Sequence, residues 1–226
     1  MPHARQQTDG HDCVWTVVVA GGSGSRFGGP KQFEALGDQR MVDVSVGVAA
    51  QAGDGVVVVV PAADVTTESA VFADRAVVVA GGTTRSESVR AGLAAVPVDA
   101  SIVCVHDAAR PFASVQLYRS VVAAVAAGAD GAVPGVPVTD TIKVVDAAGA
   151  VEGTPPRDRL VAVQTPQAFR AAVLRQAHAG GGEGTDDAAL VEAAGGRVVV
   201  VAGESENRKV THPDDLRWAR ALADHR

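Results

Sequence analysis

The sequence predicts an α/β fold, a three-layer α/β/α sandwich around a mostly parallel, twisted, Rossmann-like sheet. Short valine-rich runs recur along the chain, and each is almost continuously apolar, which indicates strands buried on both faces. Stretches with helical periodicity separate these runs, and that alternation is typical of a parallel sheet covered by helices. The predicted strands are Trp15–Ala20, Val56–Val60, Ala76–Val79, Ile102–Val105, Gly131–Val136 and Val198–Val201.

Helices are predicted between the strands at Ser86–Ala95, Val115–Ala127, Arg170–Ala179 and Asp186–Ala194. The segment Met41–Ala50 fits two structures, because its valines alternate with polar residues as in a strand and also pair at a spacing of four as on a helix. A right-handed crossover to the parallel strand at Val56 requires a helix, so we predict a helix there.

Length and charge limit the possible functions. The 226 residues suit one domain, which we place at residues 14–226 after a flexible polar leader at residues 1–13. Hydrophobic residues make up 47% of the chain and aromatic ones only 4%, so valine, alanine and leucine must build the core. The net charge of −6 argues against a nucleic-acid groove or an anionic-membrane surface, and any ligand-binding positive charge must therefore be local.

Two observations predict a cytoplasmic protein. The chain has no apolar run near the roughly 20 residues of a membrane helix, and its first residues lack the apolar stretch of a signal peptide. Cys13 and Cys104 are the only cysteines, and Cys104 lies in an apolar strand, where a buried inert thiol is expected rather than a disulfide.

The most informative segment follows the first strand and reads Gly21-Gly22-Ser23-Gly24-Ser25-Arg26-Phe27-Gly28-Gly29-Pro30-Lys31. Glycines allow backbone N–H groups to turn toward an anion, and Arg26 and Lys31 add positive charge to the same space. Ligands of such sheets bind beyond the carboxyl ends of the strands. The segment therefore predicts a binding loop for a triphosphate.

Two better-known glycine loops do not match this segment. The dinucleotide fingerprint needs a third glycine where Phe27 stands. The ATPase P-loop needs Gly-Lys-Ser/Thr, whereas Pro30 separates Gly29 from Lys31 and Gln32 follows. The remaining alternative is a glycine-rich surface loop with incidental charges.

The stretch at residues 136–160 is predicted to form a β-arm. Two strand-like pieces, Thr141–Val145 and Ala150–Thr154, flank a turn sequence at Asp146–Gly149. Such a hairpin is too small to bury a core of its own. We expect it to project from the domain and to pack on a second subunit.

Further motifs follow in order along the chain: Gly81-Gly82-Thr83-Thr84-Arg85-Ser86-Glu87-Ser88-Val89, His106-Asp107-Ala108-Ala109-Arg110-Pro111, Asp140-Thr141-Ile142-Lys143, Arg157 with Leu160, Gln164-Thr165-Pro166-Gln167-Ala168-Phe169, Thr185-Asp186-Asp187 and Asn207-Arg208-Lys209-Val210-Thr211. With the glycine loop, this set resembles the 2-C-methyl-D-erythritol 4-phosphate cytidylyltransferases of the non-mevalonate isoprenoid pathway. The resemblance runs from about Val17 to Ala223.

The resemblance implies a nucleotidyltransferase that moves CMP from CTP to methylerythritol phosphate, with Mg²⁺ present and pyrophosphate released. It also implies a homodimer in which the β-arm completes the neighbour's active site. The nucleophile is already a phosphate anion, so the site needs no general base. It needs positive charge that neutralises the two anions and the pentacoordinate transition state.

The resemblance also assigns site residues. It implies that Arg26, Lys31 and Lys209 are catalytic. Asp107 faces the nucleotide and the second substrate, where it would meet Mg²⁺, the ribose or the acceptor hydroxyls, unless it only pairs with Arg110. His106 is expected to be structural. The implied nucleotide-binding residues are Ala20, Gly21, Gly22, Gly24, Gly82, Thr83, Ser88, Asp107 and Ala108, and the implied acceptor-binding residues are Asp107, Arg110, Thr141, Arg157, Thr165 and Thr185.

Two other functions remain open at this point. The nearest is a cytidylyltransferase with the same scaffold that acts on another polyol phosphate, such as ribitol 5-phosphate, because both acceptors are small polyol phosphates. The second is a nucleotide-binding regulator without catalytic activity. The joint presence of Arg26, Lys31, Asp107 and Lys209 argues against the regulator.

Overall fold

The computed structural model describes residues 12–22, 24 and 27–225. Within them, the strands in chain order are β1 (Val14–Val19), β2 (Ala35–Leu36), β3 (Gln39–Arg40), β4 (Gly55–Val60), β5 (Val77–Ala80), β6 (Ile102–Asp107), β7 (Gly131–Pro137), β8 (Val144–Val145), β9 (Val151–Gly153), β10 (Val161–Val163), β11 (Gln167–Arg170) and β12 (Val198–Ala202). The helices are α1 (Met41–Ala52), α2 (Val65–Phe72), α3 (Arg85–Ala95), α4 (Val115–Ala126), α5 (Ala171–Ala179), α6 (Asp187–Ala193) and α7 (Pro213–Ala223).

Eight of the strands form one sheet. Strands β5, β4, β1 and β6 lie side by side and are parallel, and β11 follows as an antiparallel strand between β6 and β7. On the far side of β7 lies β12, parallel to it, while β10 pairs antiparallel with the end of β7. The mostly parallel sheet predicted from the valine runs is confirmed.

Helices cover both faces of the sheet because successive residues of a strand point to opposite sides. Val18 and Val58 pack in one core with residues of α1 and α4. Val17 and Val57 pack in the other core with residues of α3, α5 and α6. Each fully buried valine stabilises the fold by roughly 1.5–3 kcal/mol. The three-layer α/β/α sandwich is therefore confirmed.

The ambiguous segment after residue 40 is a helix, as predicted, and α1 extends to Ala52. Its buried residues include Met41, Val42, Ser45, Val46 and Ala49, whose spacing follows a helix face rather than the alternation of a strand. The crossover requirement was therefore the better guide.

Several elements differ from the prediction, which also lacked the short strands β2, β3 and β10. Strand β11 includes Arg170, which the sequence placed in the following helix, and α5 begins at Ala171. Strand β11 has only four residues, and pairing with β6 and β7 on its two sides holds it in the sheet. The sequence also did not predict α2, a short helix in which only Glu68 and Phe72 are buried.

The N-terminal leader lies outside the described residues up to residue 11. Next to β1, Cys13 O accepts a hydrogen bond of 2.9 Å from Ser101 N. Cys104 is fully buried and carries a free thiol, and burial raises its pKa to about 12, as expected for an inert side chain. No helix in the described part of the chain has the length and apolar character needed to span a membrane.

The predicted hairpin forms, although its strands β8 and β9 are shorter than the sequence suggested. In its turn, Asp146 Oδ1 accepts hydrogen bonds from Ala148 N at 2.9 Å and Ala150 N at 2.8 Å. The arm exposes apolar side chains, with 52% of Val145 and 60% of Val151 accessible to solvent. The predicted arm began at residue 136, but residues 136 and 137 end strand β7, so the β-arm below means residues 138–160.

Candidate active site

A cavity of about 540 Å³ lies at the carboxyl ends of β1 and β6. The residues of its wall that the sequence predicted are Ala20, Gly21, Gly22, Gly24, Lys31, Gly82, Thr83, Ser88, Asp107, Ala108 and Lys209. Residues that the sequence did not assign to the site also line it, namely Val19, Gln32, Thr84, Arg85 and Ala109. The position matches the rule that such sheets bind ligands at the carboxyl ends of their strands.

The glycine loop closes on the carbonyl of Gly24. The backbone N–H groups of Phe27, Gly28 and Gly29 donate to this oxygen at 2.8, 2.9 and 3.3 Å. Gly24 has a φ of +66°, and a Cβ there would stand 1.7 Å from the carbonyl oxygen of Gly29. Only glycine fits this position, and the closed loop presents Lys31 to the cavity. Arg26 lies outside the described residues, so its catalytic role stays a prediction.

A second loop, Gly81–Arg85, forms the opposite wall and is fixed by its own side chains. Ser88 Oγ accepts from Gly82 N at 3.2 Å and donates to Thr84 O at 2.9 Å. Thr84 caps α3, and Glu87 Oε2 accepts from Thr83 N at 2.6 Å. A Cβ on Gly82 would stand 2.3 Å from Glu87 Cβ, so this position also needs glycine.

These hydrogen bonds involve the residues that are predicted to recognise the nucleotide base. The hydroxyl of Ser88 has both its donor and one acceptor site engaged within the loop, so it orders the backbone that faces the cavity. Base recognition by Gly82, Thr83 and Ser88 stays a prediction.

Asp107 ends β6 and lies between two cations. Its Oδ1 accepts from Arg85 Nε at 3.2 Å, and its Oδ2 accepts from Lys209 Nζ at 2.6 Å. Burial raises the pKa of this carboxyl, but the charges of Arg85 and Lys209 outweigh burial and hold the pKa well below its usual range. Asp107 is therefore ionised at neutral pH, and the alternative in which it pairs with the guanidinium of Arg110 does not describe this arrangement.

Arg85 is the functional residue that sequence reasoning missed. Besides Asp107, its guanidinium donates from Nη1 to Asp187 Oδ2 at 2.8 Å, and Asp187 Oδ1 lies 3.0 Å from His178 Nε2. Burial lowers the pKa of Arg85, but the charges of Asp107 and Asp187 outweigh burial and raise the pKa above its usual value. Arg85 is therefore always charged. Its place at the start of α3, three residues after Gly82, was the available signal.

Thr165 and His106 form a series of hydrogen bonds that begins at the backbone of Asp107. Thr165 Oγ1 accepts from Asp107 N at 3.1 Å and lies 3.1 Å from His106 Nδ1, while His106 Nε2 lies 3.1 Å from Arg110 O. A carbonyl only accepts, so Nε2 carries the proton and Nδ1 accepts from the threonine hydroxyl. Burial lowers the pKa of His106 to about 4, so the ring is neutral at pH 7, as its predicted structural role requires.

The residues predicted to hold the acceptor are spread more widely. Arg110 donates to Asn207 O at 2.8 Å and to Val163 O at 3.3 Å, and its Nε is buried without a hydrogen-bond partner in the described part of the chain. Burial lowers the pKa of Arg110. Arg110 N donates to Asp107 O at 2.9 Å, so Arg110 adjoins Asp107, as Thr165 does.

The other acceptor residues lie away from this cluster. Arg157 and Thr141 are exposed on the β-arm, where Arg157 Nη1 donates to Thr139 O at 2.7 Å. Thr185 is exposed next to α6. None of these three is among the residues that line the cavity within one chain. Their contacts with the acceptor stay predictions.

Similarity to known proteins matches this geometry. A family model described as 2-C-methyl-D-erythritol 4-phosphate cytidylyltransferase matches residues 14–225. The protein of that name from Rhodococcus jostii (strain RHA1) is 47% identical over 221 residues, covering 96% of this chain and 97% of its own. The one from Nocardia farcinica (strain IFM 10152) is 46% identical over 224 residues, with coverage of 96% and 97%.

Solved structures with the same fold agree. The 2-C-methyl-D-erythritol 4-phosphate cytidylyltransferase from Thermus thermophilus is 35% identical and has a TM-score of 0.78 over 92% of this chain and 98% of that chain. The 4-diphosphocytidyl-2C-methyl-D-erythritol synthase from Anaerococcus prevotii DSM 20548 is 26% identical and has a TM-score of 0.83, with coverage of 93% and 96%. The chain therefore belongs to the 2-C-methyl-D-erythritol 4-phosphate cytidylyltransferase family, as its sequence motifs predicted.

Proposed function

We propose that this enzyme transfers CMP from CTP to 2-C-methyl-D-erythritol 4-phosphate, giving 4-diphosphocytidyl-2-C-methyl-D-erythritol and pyrophosphate in non-mevalonate isoprenoid precursor biosynthesis. The observation that carries the proposal is the convergence of Lys31, Lys209 and the closed Gly24 loop on one cavity beside an ionised Asp107. A cavity with these groups suits a polyanion in a protein whose overall charge is negative.

The chemistry needs electrostatic stabilisation rather than proton transfer. An oxygen of the acceptor phosphate attacks the α-phosphorus of CTP, a new P–O bond forms, and the bond to the β-phosphate oxygen breaks with release of pyrophosphate. Lys31, Lys209 and Arg26 neutralise the charge that builds up on the α-phosphate and on the leaving group. His106 has no proton to transfer in this scheme.

Lys209 exchanges its partner when the triphosphate binds. Its amino group now contacts Asp107 Oδ2, and a phosphate oxygen offers a stronger anion at the same cavity wall. Arg85 retains Asp107 through Oδ1, so the carboxylate stays in place after Lys209 leaves.

Asp107 suits a magnesium ion bound together with CTP. Mg²⁺ usually takes one or two carboxylates and completes its shell with phosphate oxygens and water, and Asp107 supplies one carboxylate at the cavity. No group of three or more acidic, histidine or cysteine side chains capable of holding a metal occurs in the part of the chain that the structure describes. Asp107 would therefore hold the ion only together with the nucleotide, where it would offset phosphate charge. The ribose or acceptor hydroxyls are its other possible partners.

The acceptor phosphate would lie between Arg110, Thr165 and Thr185 of one subunit and Thr141 and Arg157 of the other. The exposed valines of the β-arm support a homodimer with exchanged arms, because 49–60% of Val144, Val145 and Val151 would otherwise stay in water. Arg157 suits the binding of the acceptor phosphate, since a guanidinium can donate two parallel hydrogen bonds to one phosphate group. We also infer a cytoplasmic location from the two free cysteines.

A pyrophosphate-release assay tests the activity. Each of the four nucleoside triphosphates is offered with methylerythritol phosphate, and CTP is then offered with ribitol 5-phosphate in its place. We expect release only with CTP and methylerythritol phosphate. Equal pyrophosphate release with ribitol 5-phosphate would contradict methylerythritol phosphate as the acceptor. CTP binding without any pyrophosphate release would indicate a nucleotide-binding regulator.

A further inference from the structure

A second cavity, of about 380 Å³, lies between α3 and α5. It is lined by the C-terminal half of α3, whereas the loop Gly81–Arg85 precedes that helix. Its apolar wall includes Leu93, Ala94 and Val96, and Val98 stands at its mouth with 91% of its surface exposed. Three polar side chains also line it, Arg90, Arg175 and His178. The proposed reaction uses none of these residues.

His178 lines this cavity and carries a buried nitrogen without a hydrogen-bond partner in the described part of the chain. The side chain is 3% exposed, and its Nε2 lies 3.0 Å from Asp187 Oδ1. A carboxylate only accepts, so Nε2 carries a proton that it donates to Asp187. Nδ1 is buried and has no hydrogen-bond partner among the residues that the structure describes.

Among the described residues, Arg175 at this cavity has no carboxylate within salt-bridge distance. Arg175 donates to the carbonyl oxygens of Val96 at 3.2 Å and Pro97 at 2.8 Å, which are uncharged. Arg90 pairs with Glu183 at 3.2 Å, and that carboxylate is half exposed. An anionic head group next to Arg175 would meet a cation without displacing any acid from it.

Two chains of contacts join this cavity to the nucleotide site. The first runs from His178 through Asp187 and Arg85 to Asp107, over distances of 3.0, 2.8 and 3.2 Å. Every member of this chain is at least half-buried.

The second chain runs through Glu183. This carboxylate accepts from Arg90 Nη2 at the second cavity and from Thr84 Oγ1, at 2.9 Å, in the wall of the first. Glu183 therefore links Arg90 at the second cavity to the loop Gly81–Arg85 in the wall of the first.

We propose that the cavity between α3 and α5 is a second ligand site, which takes a small anionic amphiphile with an apolar body and a phosphate-like head, and that its occupation weakens CTP binding. The apolar body lies against Leu93 and Val96, and the head contacts Arg175 and Arg90. The contact with Arg90 competes with Glu183 and so alters the position of Glu183, which also bonds Thr84 in the wall of the first cavity. The coupling between the cavities rests on the proposed CTP site, whereas occupation of the second cavity does not.

Calorimetric titration of the whole protein with hexyl phosphate tests the site, with inorganic phosphate and 1-hexanol as probes that lack the body or the charge. We expect hexyl phosphate to bind at least tenfold more tightly than either. Arg175→Met and Val98→Glu should each weaken it at least tenfold, and the exposed Arg119→Met on α4 should not change it. Equal binding by Arg175→Met and the wild type would overturn the proposal, as would binding that only Lys209→Ala abolishes, since that places the probe in the nucleotide cavity.

A second titration tests the coupling. Saturating hexyl phosphate should raise the Kd of CTP at least fivefold, and saturating CTP should raise the Kd of hexyl phosphate by the same factor, since coupling between two binding sites is reciprocal. Binding of each ligand without mutual effect would refute the coupling alone. Failure of CTP to bind at all would count against the proposed function and leave the probe titration to decide the second site.

Discussion

Lys209 Nζ lies 2.6 Å from Asp107 Oδ2, although the two residues are 102 positions apart in the chain. The pair joins the end of β6 to the segment before α7 and places a cation and an anion in the wall of one cavity. In the proposed reaction, this pairing would keep part of the positive charge compensated until the triphosphate binds. Arg85 holds the same carboxylate through Oδ1, so Asp107 would stay in place when Lys209 changes its partner.

Lys31→Ala should lower kcat by two orders of magnitude or more. The loss of one electrostatic group that stabilises a transition state typically costs roughly 3–4 kcal/mol. Initial rates of pyrophosphate release at saturating substrates measure the effect. Arg119→Ala, which removes an exposed cation on α4, is the control and should leave kcat unchanged. A Lys31→Ala enzyme with wild-type turnover would show that this lysine has no catalytic role.

Gly24→Ala should weaken CTP binding at least tenfold. The new Cβ would stand 1.7 Å from Gly29 O, and a φ of +66° is unfavourable for alanine, so the loop must open. Gly29→Ala is a matched control, because a Cβ there meets no atom within 4 Å. Calorimetric titration with CTP and magnesium distinguishes the two variants. Similar affinities would mean that the closed loop is not what binds the triphosphate.

Arg85→Met should lower the free energy of unfolding by about 3–5 kcal/mol, since it leaves the carboxylate of Asp187 buried without its cation. Arg90→Met removes an arginine from the same helix whose partner Glu183 is 53% exposed, and we expect a loss of no more than about 1 kcal/mol. Urea unfolding followed by circular dichroism measures both. If the two variants unfold at the same urea concentration, the buried ion-pair chain does not contribute to stability.

His106 should make the unliganded protein less stable as the pH falls from about 6.5 to about 4. Its pKa is about 4 in the folded state and about 6.5 in the unfolded chain, so between these values the unfolded state binds more protons. The folded state therefore loses roughly 3 kcal/mol of stability over this range. Urea unfolding at several pH values gives the free energy of unfolding as a function of pH. Between about pH 6.5 and about pH 4, this free energy should fall less steeply for His106→Gln than for the wild type. Parallel slopes would assign the acid sensitivity to other groups.

Arg157→Lys should raise the KM for the acceptor phosphate more than the KM for CTP. The lysine keeps the charge but loses the two-pronged hydrogen bonding of the guanidinium. Because Arg157 lies on the β-arm, mixing an arm variant with a Lys31→Ala variant should restore part of the activity in mixed dimers. Equal changes in both Michaelis constants would show that Arg157 does not bind the acceptor. If mixed dimers regain no activity, the β-arm does not complete the site of the partner subunit.

The sequence alone determined six of the eight strands of the sheet, most of the helices and the glycine loop. Buried strands need continuous apolar runs, and a closed anion loop needs glycine at positions such as Gly24, so both leave local patterns that can be read without coordinates. The α1 helix was settled by the handedness of crossovers, which is a general rule of parallel sheets. Strand β11 left no such pattern, because pairing with two neighbours defines it rather than its own four residues.

Only the tertiary structure decided what surrounds Asp107. The partners Lys209 and Asp187 each lie 102 residues from the side chain that they pair with, and no local periodicity relates such positions. Thr165 stays a predicted acceptor residue, and its hydroxyl also accepts from Asp107 N and lies 3.1 Å from the ring of His106, which no sequence pattern indicates. Ion pairs and buried hydrogen bonds depend on which strand ends the topology brings together, and that information is distributed over the whole chain.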